Sequence, residues 1–367
     1  MALLSDRLDL ELHMTDLELL HHFTVSTALT LSTTPELQNW WRIEVPNLAF
    51  SHPFVMRALL ALSGIHLAHG LLAPGPSASY SHFMSAFATE GPSPGDLHDI
   101  AQSHISRALA QHTIALRTAH QLLPTTTPET CAPLYVCAVL CMLVAFTTPR
   151  GAGPCSEHPP LLFVASDGAA GPAPWLHLSR GVKAIIEQSR DSMLMTHIGV
   201  PLRMALSPRN QMASGPAGVD DTAAAAAESG SEAVRALVAL RGWLDEEGDI
   251  CFADAAESLI GVYQTFEIAG DAIAMRAVLG WICHVDEAFL RALADRDCRA
   301  LVVFAYYAVL LHWLDSGNWW INGWGRHVVT KIDAMVDAKD CQGWLRWPRE
   351  QIGVWKEDYQ PVDCVVI

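Results

Sequence analysis

The chain has 367 residues, 51% hydrophobic and 17% charged, with 23 lysines and arginines against 39 aspartates and glutamates, a formal charge of −16. The apolar fraction excludes a disordered chain, and the length suffices for a sizeable core in one to three domains. The acidic balance, with no basic run of five residues, argues against a nucleic-acid surface, because neutralising phosphates takes clustered Lys and Arg.

Helical periodicity dominates from the start. Thr15 followed by Glu18 reads as a capping box, and Leu17, Leu20, Thr24, Thr27 and Leu31 recur at 3-4-3-4, predicting a helix over 16–32. Trp40, Trp41, Val45 and Pro46 lead into the next element. Ser51 and Pro53 mark a helix start. From there Val55, Leu59, Leu62, His66 and His69 run at 4-3-4-3 to Gly70, a C-cap residue. Residues 73–96 are rich in Pro and Gly and predict a loop. A long helix over 96–123 ends at Pro124. An apolar helix over 131–146 follows, then a second loop over 147–174 and a helix over 175–190.

Residues 207–232 are low in complexity and read as an excursion, because both sides share the same helical grammar. Further helices are predicted over 232–247, 252–278, 285–295, 297–316 and 324–338. No run alternates with period two long enough for a sheet, and no internal repeat is evident. The expected architecture is all-α, a single compact array of about ten helices over 1–367.

Nine cysteines lie scattered at 131, 137, 141, 155, 251, 283, 298, 341 and 364, with no Cys-x-x-Cys pair. A zinc finger or ribbon is thereby disfavoured. Cys137 and Cys141, one helical turn apart in an apolar run, read as small buried hydrophobes. The N-terminus lacks the charged-then-apolar pattern of a secretion signal. These features predict an intracellular compartment, cytoplasmic or nuclear, with free thiols. The longest apolar run, 132–146, has fifteen residues, short of the roughly 18 expected for a membrane span, and reads as a core helix without a span.

Catalytic signatures are sparse. Asp245-Glu-Glu-Gly-Asp249 is the nearest thing to the acidic cluster of a terpene cyclase, but no second acidic motif partners it, and a solvated turn explains it. Phosphate-binding, dinucleotide and nucleophile-elbow motifs are missing. His66 and His69, at i and i+3, could face one ion, but no third ligand is visible, so neither a metal nor a cofactor is expected. Near the C-terminus, Leu301, Ala305, Ala308, His312 and Asp315 share one helical stripe, and Trp319, Trp320 and Trp324 follow directly. Indoles offer broad apolar faces with one N–H donor, a surface that suits a bulky, mostly apolar ligand.

Several segments carry a resemblance. They are Asp16-Leu-Glu-Leu-Leu-His-His-Phe-Thr-Val-Ser-Thr, Trp40 to Phe50, Ala49-Phe-Ser-His-Pro-Phe-Val-Met-Arg-Ala-Leu-Leu-Ala-Leu-Ser-Gly-Ile-His-Leu-Ala, and Leu178-Ser-Arg-Gly-Val-Lys. Near the end come Ala300-Leu-Val-Val-Phe-Ala-Tyr-Tyr-Ala-Val-Leu-Leu-His-Trp-Leu-Asp, Trp319-Trp-Ile-Asn-Gly-Trp-Gly-Arg-His and Trp344-Leu-Arg-Trp-Pro. In this order, over about 16–353, they resemble the C-terminal effector domain of fungal zinc-cluster transcription regulators, nearest the sterol uptake control protein group. The resemblance implies an all-helical ligand-binding domain whose hydrophobic pocket lies near its C-terminal helices and, in sterol-responsive members, holds a sterol. The family's six-cysteine zinc cluster and basic linker have no counterpart in this sequence, so direct DNA binding is not expected. Where the family often carries a His, Tyr306 stands, and where it carries a basic residue, Trp313 stands.

Two functions of different class follow. In the first, the chain is a stand-alone sensor or co-regulator in fungal metabolism. It binds a sterol, terpenoid or polyketide through Leu59, Leu62, His66, His69, Tyr306, Trp313, Trp319, Trp320 and Trp324, and it meets a partner regulator or a second copy of itself. In the second, the scaffold is a cofactor-independent cyclase, isomerase or pericyclase of secondary metabolism, with Tyr306, His312, Asp315 and His66 as catalytic candidates. Such chemistry needs chiefly shape and one or two proton donors.

Overall fold

The computed structural model describes residues 14–72, 94–147, 173–195, 197–205, 231–269, 271–336 and 339–354. All regular secondary structure among these residues is helical. Contacts divide the chain into two compact units, the first built mainly from residues up to 149 and from 181–200, the second from 150–180 and 201–362. The predicted loops over 73–96, 147–174 and 207–232 lie almost wholly outside the described residues.

The first unit opens with α1 (Met14–Val25) and a 3-10 turn over Thr27–Thr30. Next come α2 (Pro35–Asn39), a π turn over Trp40–Glu44 and α3 (Val45–Ser51). The helix predicted over 16–32 therefore ends at Val25 and tightens into the 3-10 turn. Its central helix is α4 (Pro53–Leu72), which is buried on nearly every side. Around it pack α5 (Pro94–Leu122), α6 (Pro128–Thr147), α1 and α3. Two polar links hold α1 in place. Asp16, 5% exposed, accepts from Arg107 of α5 at 2.7 Å, and the Ser63 hydroxyl of α4 donates to the Leu19 carbonyl at 2.6 Å. Each spares a buried polar group the cost of lost hydration.

The chain passes from one unit to the other within α7 (Pro174–Leu194), which is followed by α8 (Val200–Ala205). The second unit contains α9 (Glu232–Glu246), α10 (Ile250–Ile268), α11 (Asp271–His284), α12 (Glu287–Ala294) and α13 (Cys298–Trp313). It ends with α14 (Trp324–Met335), α15 (Lys339–Gln342) and α16 (Arg346–Ile352). The single helix predicted over 252–278 is thus two helices, α10 and α11. Every residue of α13 from Ala300 to Leu311 is buried, and α10, α14 and α16 pack against it. Helix α14 crosses α13 at Gly325, where an added Cβ would meet Ala308 O and His312 N, each at 2.6 Å.

Two sequence expectations need correction. Cys298 and Cys341 form a disulfide across 43 residues, so the thiols are not all free, while Cys131, Cys137, Cys141, Cys251 and Cys283 remain thiols. Spacing could not show this, because the pairing is made by tertiary packing. The length argument against a span also changes. By length and composition alone, Pro53–Leu72, Glu129–Thr147 and Cys298–Gly317 could each cross a membrane, because flanking small and aromatic residues extend the apolar runs. Of their most apolar windows, 67%, 61% and 72% are buried inside the protein, which makes them core helices of their units.

Candidate functional site

The predicted site residues fall into two groups, one in each unit. In the first unit Leu59 and Leu62 are wholly buried in α4 and belong to its core. His66, on the same stripe, meets residues far away in sequence. Its Nδ1 lies 3.1 Å from His22 Nε2 and 2.9 Å from the Thr27 hydroxyl, and the two imidazole rings are 5.1 Å apart. Burial, with His104 and His21 adding repulsion, lowers the His22 pKa to about 4. Burial again, with His22 and His69 adding to it, lowers His66 to about 3. His69 is lowered by burial alone. At neutral pH His22 and His66 are therefore a neutral, mutually hydrogen-bonded pair. Among the described residues no three His, Cys, Asp or Glu side chains converge on a metal position.

In the second unit the aromatic residues of α13 divide between two faces. Tyr306 stacks on Trp347 of α16, with ring centres 5.1 Å apart and planes 18° apart. Tyr263 of α10 donates its hydroxyl to the Tyr306 carbonyl at 2.7 Å and meets Trp313 edge-on at 5.5 Å. Phe266 completes this face, 5.6 Å from Trp313. On the other face Tyr307 lies between Trp281, at 4.7 Å, and Phe304, at 5.7 Å. The Trp281 indole donates to the Ser258 hydroxyl at 2.9 Å. Burial pushes the phenols of Tyr263, Tyr306 and Tyr307 upward, so all three are neutral donors and none is a base near neutral pH. Trp320 and Trp324 are 1% and 3% exposed, which makes them packing residues, whereas Trp313 and Trp319 are half-buried. The Trp347 indole nitrogen is shielded from solvent and has no hydrogen-bond partner among the described residues.

His312 and Asp315 do stand near each other, with Nδ1 3.9 Å from Oδ2, beyond hydrogen-bond reach. Both Asp315 oxygens instead accept from the Gly323 N–H, at 2.8 and 2.9 Å. Asp315 thereby closes the turn that delivers α14, and Gly323 supplies the positive φ, +73°, that the turn requires. His66 belongs to the first unit, so the four catalytic candidates are not one constellation within either unit. The reading from the sequence missed His22 and Thr27 as partners of His66, and Tyr263, Phe266 and Trp347 as the frame around Tyr306 and Trp313. The signals for these residues were that Thr27 stands on the predicted stripe of the first helix and that His22, Thr27 and Trp347 stand in segments carrying the resemblance.

Residues 18–197 match the fungal specific transcription factor domain. A Zn(2)-C6 fungal-type transcription factor of Gibberella zeae is 22% identical over 351 residues, covering 91% of this chain and 61% of that protein. Sterol uptake control protein 2 of Candida albicans is 42% identical over 57 residues, 15% of this chain and 8% of that protein. Its namesake in Saccharomyces cerevisiae is 40% identical over 60 residues, 15% of this chain and 6% of that protein. The chain thus spans less than two thirds of each of these relatives. The family match covers the histidine pair, and the aromatic array around Tyr306 lies beyond it.

Proposed function

We propose that the chain is an intracellular regulatory domain of fungal metabolism that binds a bulky hydrophobic small molecule of the sterol, terpenoid or polyketide class. On this reading it acts through a partner regulator or a second copy of itself, without gripping DNA directly. The observation that carries it is the Trp347 indole N–H, shielded beside Tyr306 and Tyr263 and without a partner among the described residues. A buried donor left unpaired costs free energy, and a ligand hydroxyl placed against that ring system would recover it. Half-buried Trp313 and Trp319 add flat apolar surface in the same unit. The likeness of short segments to sterol uptake control proteins supports a rigid, mostly apolar ligand with one polar handle. Turnover has weaker support, because Asp315 is engaged by a backbone N–H and the phenols stay protonated.

The test is native mass spectrometry of the purified chain, followed by titration with ergosterol and with representative terpenoids and polyketides, read by tryptophan emission. The reading expects a compound retained unchanged and a saturable emission change. Trp347→Phe keeps the ring stack and removes the donor, and it should weaken binding roughly tenfold, the worth of one hydrogen bond of about 1.4 kcal/mol. No retained compound and no emission change with any of the three classes would refute it.

A further inference from the structure

Cys298 is the first residue of α13, directly after the Asp297 cap, and is half-buried. Cys341 sits on α15 and is 2% exposed. The bond between them spans a Cα separation of 6.2 Å and ties two elements that the sequence keeps 43 residues apart. Just beyond Cys341 come two indoles that pack on the rest of the second unit. Trp344 stacks on Trp243 of α9 at 5.3 Å and 28°, and Trp347 stacks on Tyr306 of α13. Holding Cys341 on the start of α13 therefore limits the freedom of the segment that delivers both rings. The pairing is selective, since five other described cysteines remain thiols even though Cys137 and Cys141 lie only 3.9 Å apart.

We propose that Cys298 and Cys341 form a reversible redox modification site, closed by a hydroperoxide and reopened by glutathione, which clamps the indole-bearing segment 341–347 onto α13. Cys298 is the attacking group, because it is the more exposed of the two and an oxidant reaches it first. Its sulfur takes the distal oxygen of the hydroperoxide, giving a sulfenic acid and releasing the alcohol, or water from hydrogen peroxide. The Cys341 thiol displaces that hydroxyl as a second water, and the S–S bond forms. Two glutathione thiols restore both cysteines and leave as glutathione disulfide. In a reducing compartment the pair rests open, so the clamp reports oxidant. Its consequence for ligand affinity rests on the proposed function, whereas the thiol chemistry does not.

The experiment uses the full chain, reduced with glutathione, exposed to hydrogen peroxide, then denatured in iodoacetamide, which reaches the buried thiols as well, and weighed intact. The expected result is two fewer alkylated thiols than the nine of the sequence, with a peptide map placing the link at Cys298 and Cys341. Fresh glutathione should return both thiols. Tryptophan emission should shift with the link, and Cys298→Ser or Cys341→Ser should abolish both changes. Cys298→Ala serves as a second variant if a buried serine prevents folding. Failure to form the link, a link between other cysteines, or a link that native protein keeps under glutathione would each overturn the proposal. Ergosterol titration in both redox states separates the two claims. Absence of sterol binding in either state counts against the ligand reading, and the thiol count decides the redox site by itself.

Discussion

Gly325 shows how much one hydrogen atom in place of a side chain decides. A methyl group there would sit 2.5 Å from the His312 Cβ and 2.6 Å from two backbone atoms of α13, none of which can rotate away. Gly325→Ala should therefore lower stability by about 3 kcal/mol, seen as a lower urea midpoint with an unchanged slope. An unchanged midpoint would contradict the close crossing of α13 and α14. The histidine pair gives a second residue-scale expectation. Both imidazoles bind protons more weakly folded than unfolded, so the unfolded state takes up protons as pH falls from 6.5 toward 4 and 3. Stability is complete above pH 6.5 and declines below it, by at most about 1.4 kcal/mol per pH unit for each proton. His66→Gln keeps a hydrogen-bonding side chain and should flatten that decline, measured by urea unfolding between pH 7 and 4. The stripe Leu59, Leu62 and His66 was legible in the sequence because helical spacing fixes a face. The partners of His66 were not, because they stand 44 and 39 residues away, beyond any local period.

At the scale of elements, the long apolar helices α4, α6 and α13 were readable because their burial leaves a continuous hydrophobic record. Helix ends were less so. The run over 252–278 reads as one periodic helix, yet Ala269 leaves the helical region and α11 starts anew at Asp271. The Ala-Gly-Asp sequence there carries a stop-and-start signal that the longer periodicity masked. The C-terminal helices α15 and α16 escaped prediction because they are too short to show a period. The caps that do show can be tested. Asp297 accepts from the Arg299 and Ala300 N–H groups, at 2.9 and 3.4 Å, satisfying donors at the start of the most buried helix of the second unit. Asp297→Ala should cost about 1 to 2 kcal/mol in urea unfolding. Ser231→Ala, which removes a single 3.2 Å bond to Val234 at the start of α9, should cost about 1 kcal/mol or less. A larger loss at Ser231 than at Asp297 would contradict this ranking.

Charge is a property of the whole molecule, and here its distribution matters more than its sum. The formal charge of −16 already disfavours phosphate, but a negative protein can still present a basic face. Many described cations are instead held by carboxylates. Arg107 meets Asp16, Arg180 meets Glu287, and Arg241 meets Asp245 and Glu257. Arg299 meets Asp249 and Asp297, Arg346 meets Glu350, and Arg349 meets Asp333. Exposed pairs such as Arg346–Glu350 add little stability, yet each cancels a charge that could otherwise condense on a phosphate. Binding to duplex DNA depends on releasing counterions, one for each phosphate neutralised, and a cation already paired with a carboxylate releases few. The chain should therefore leave double-stranded DNA unshifted in a mobility assay even at about 50 mM salt, where nonspecific binding is strongest. It should also pass through heparin while being retained on an anion exchanger. A DNA complex whose affinity falls steeply with salt would reveal a basic face that these ion pairs do not cancel.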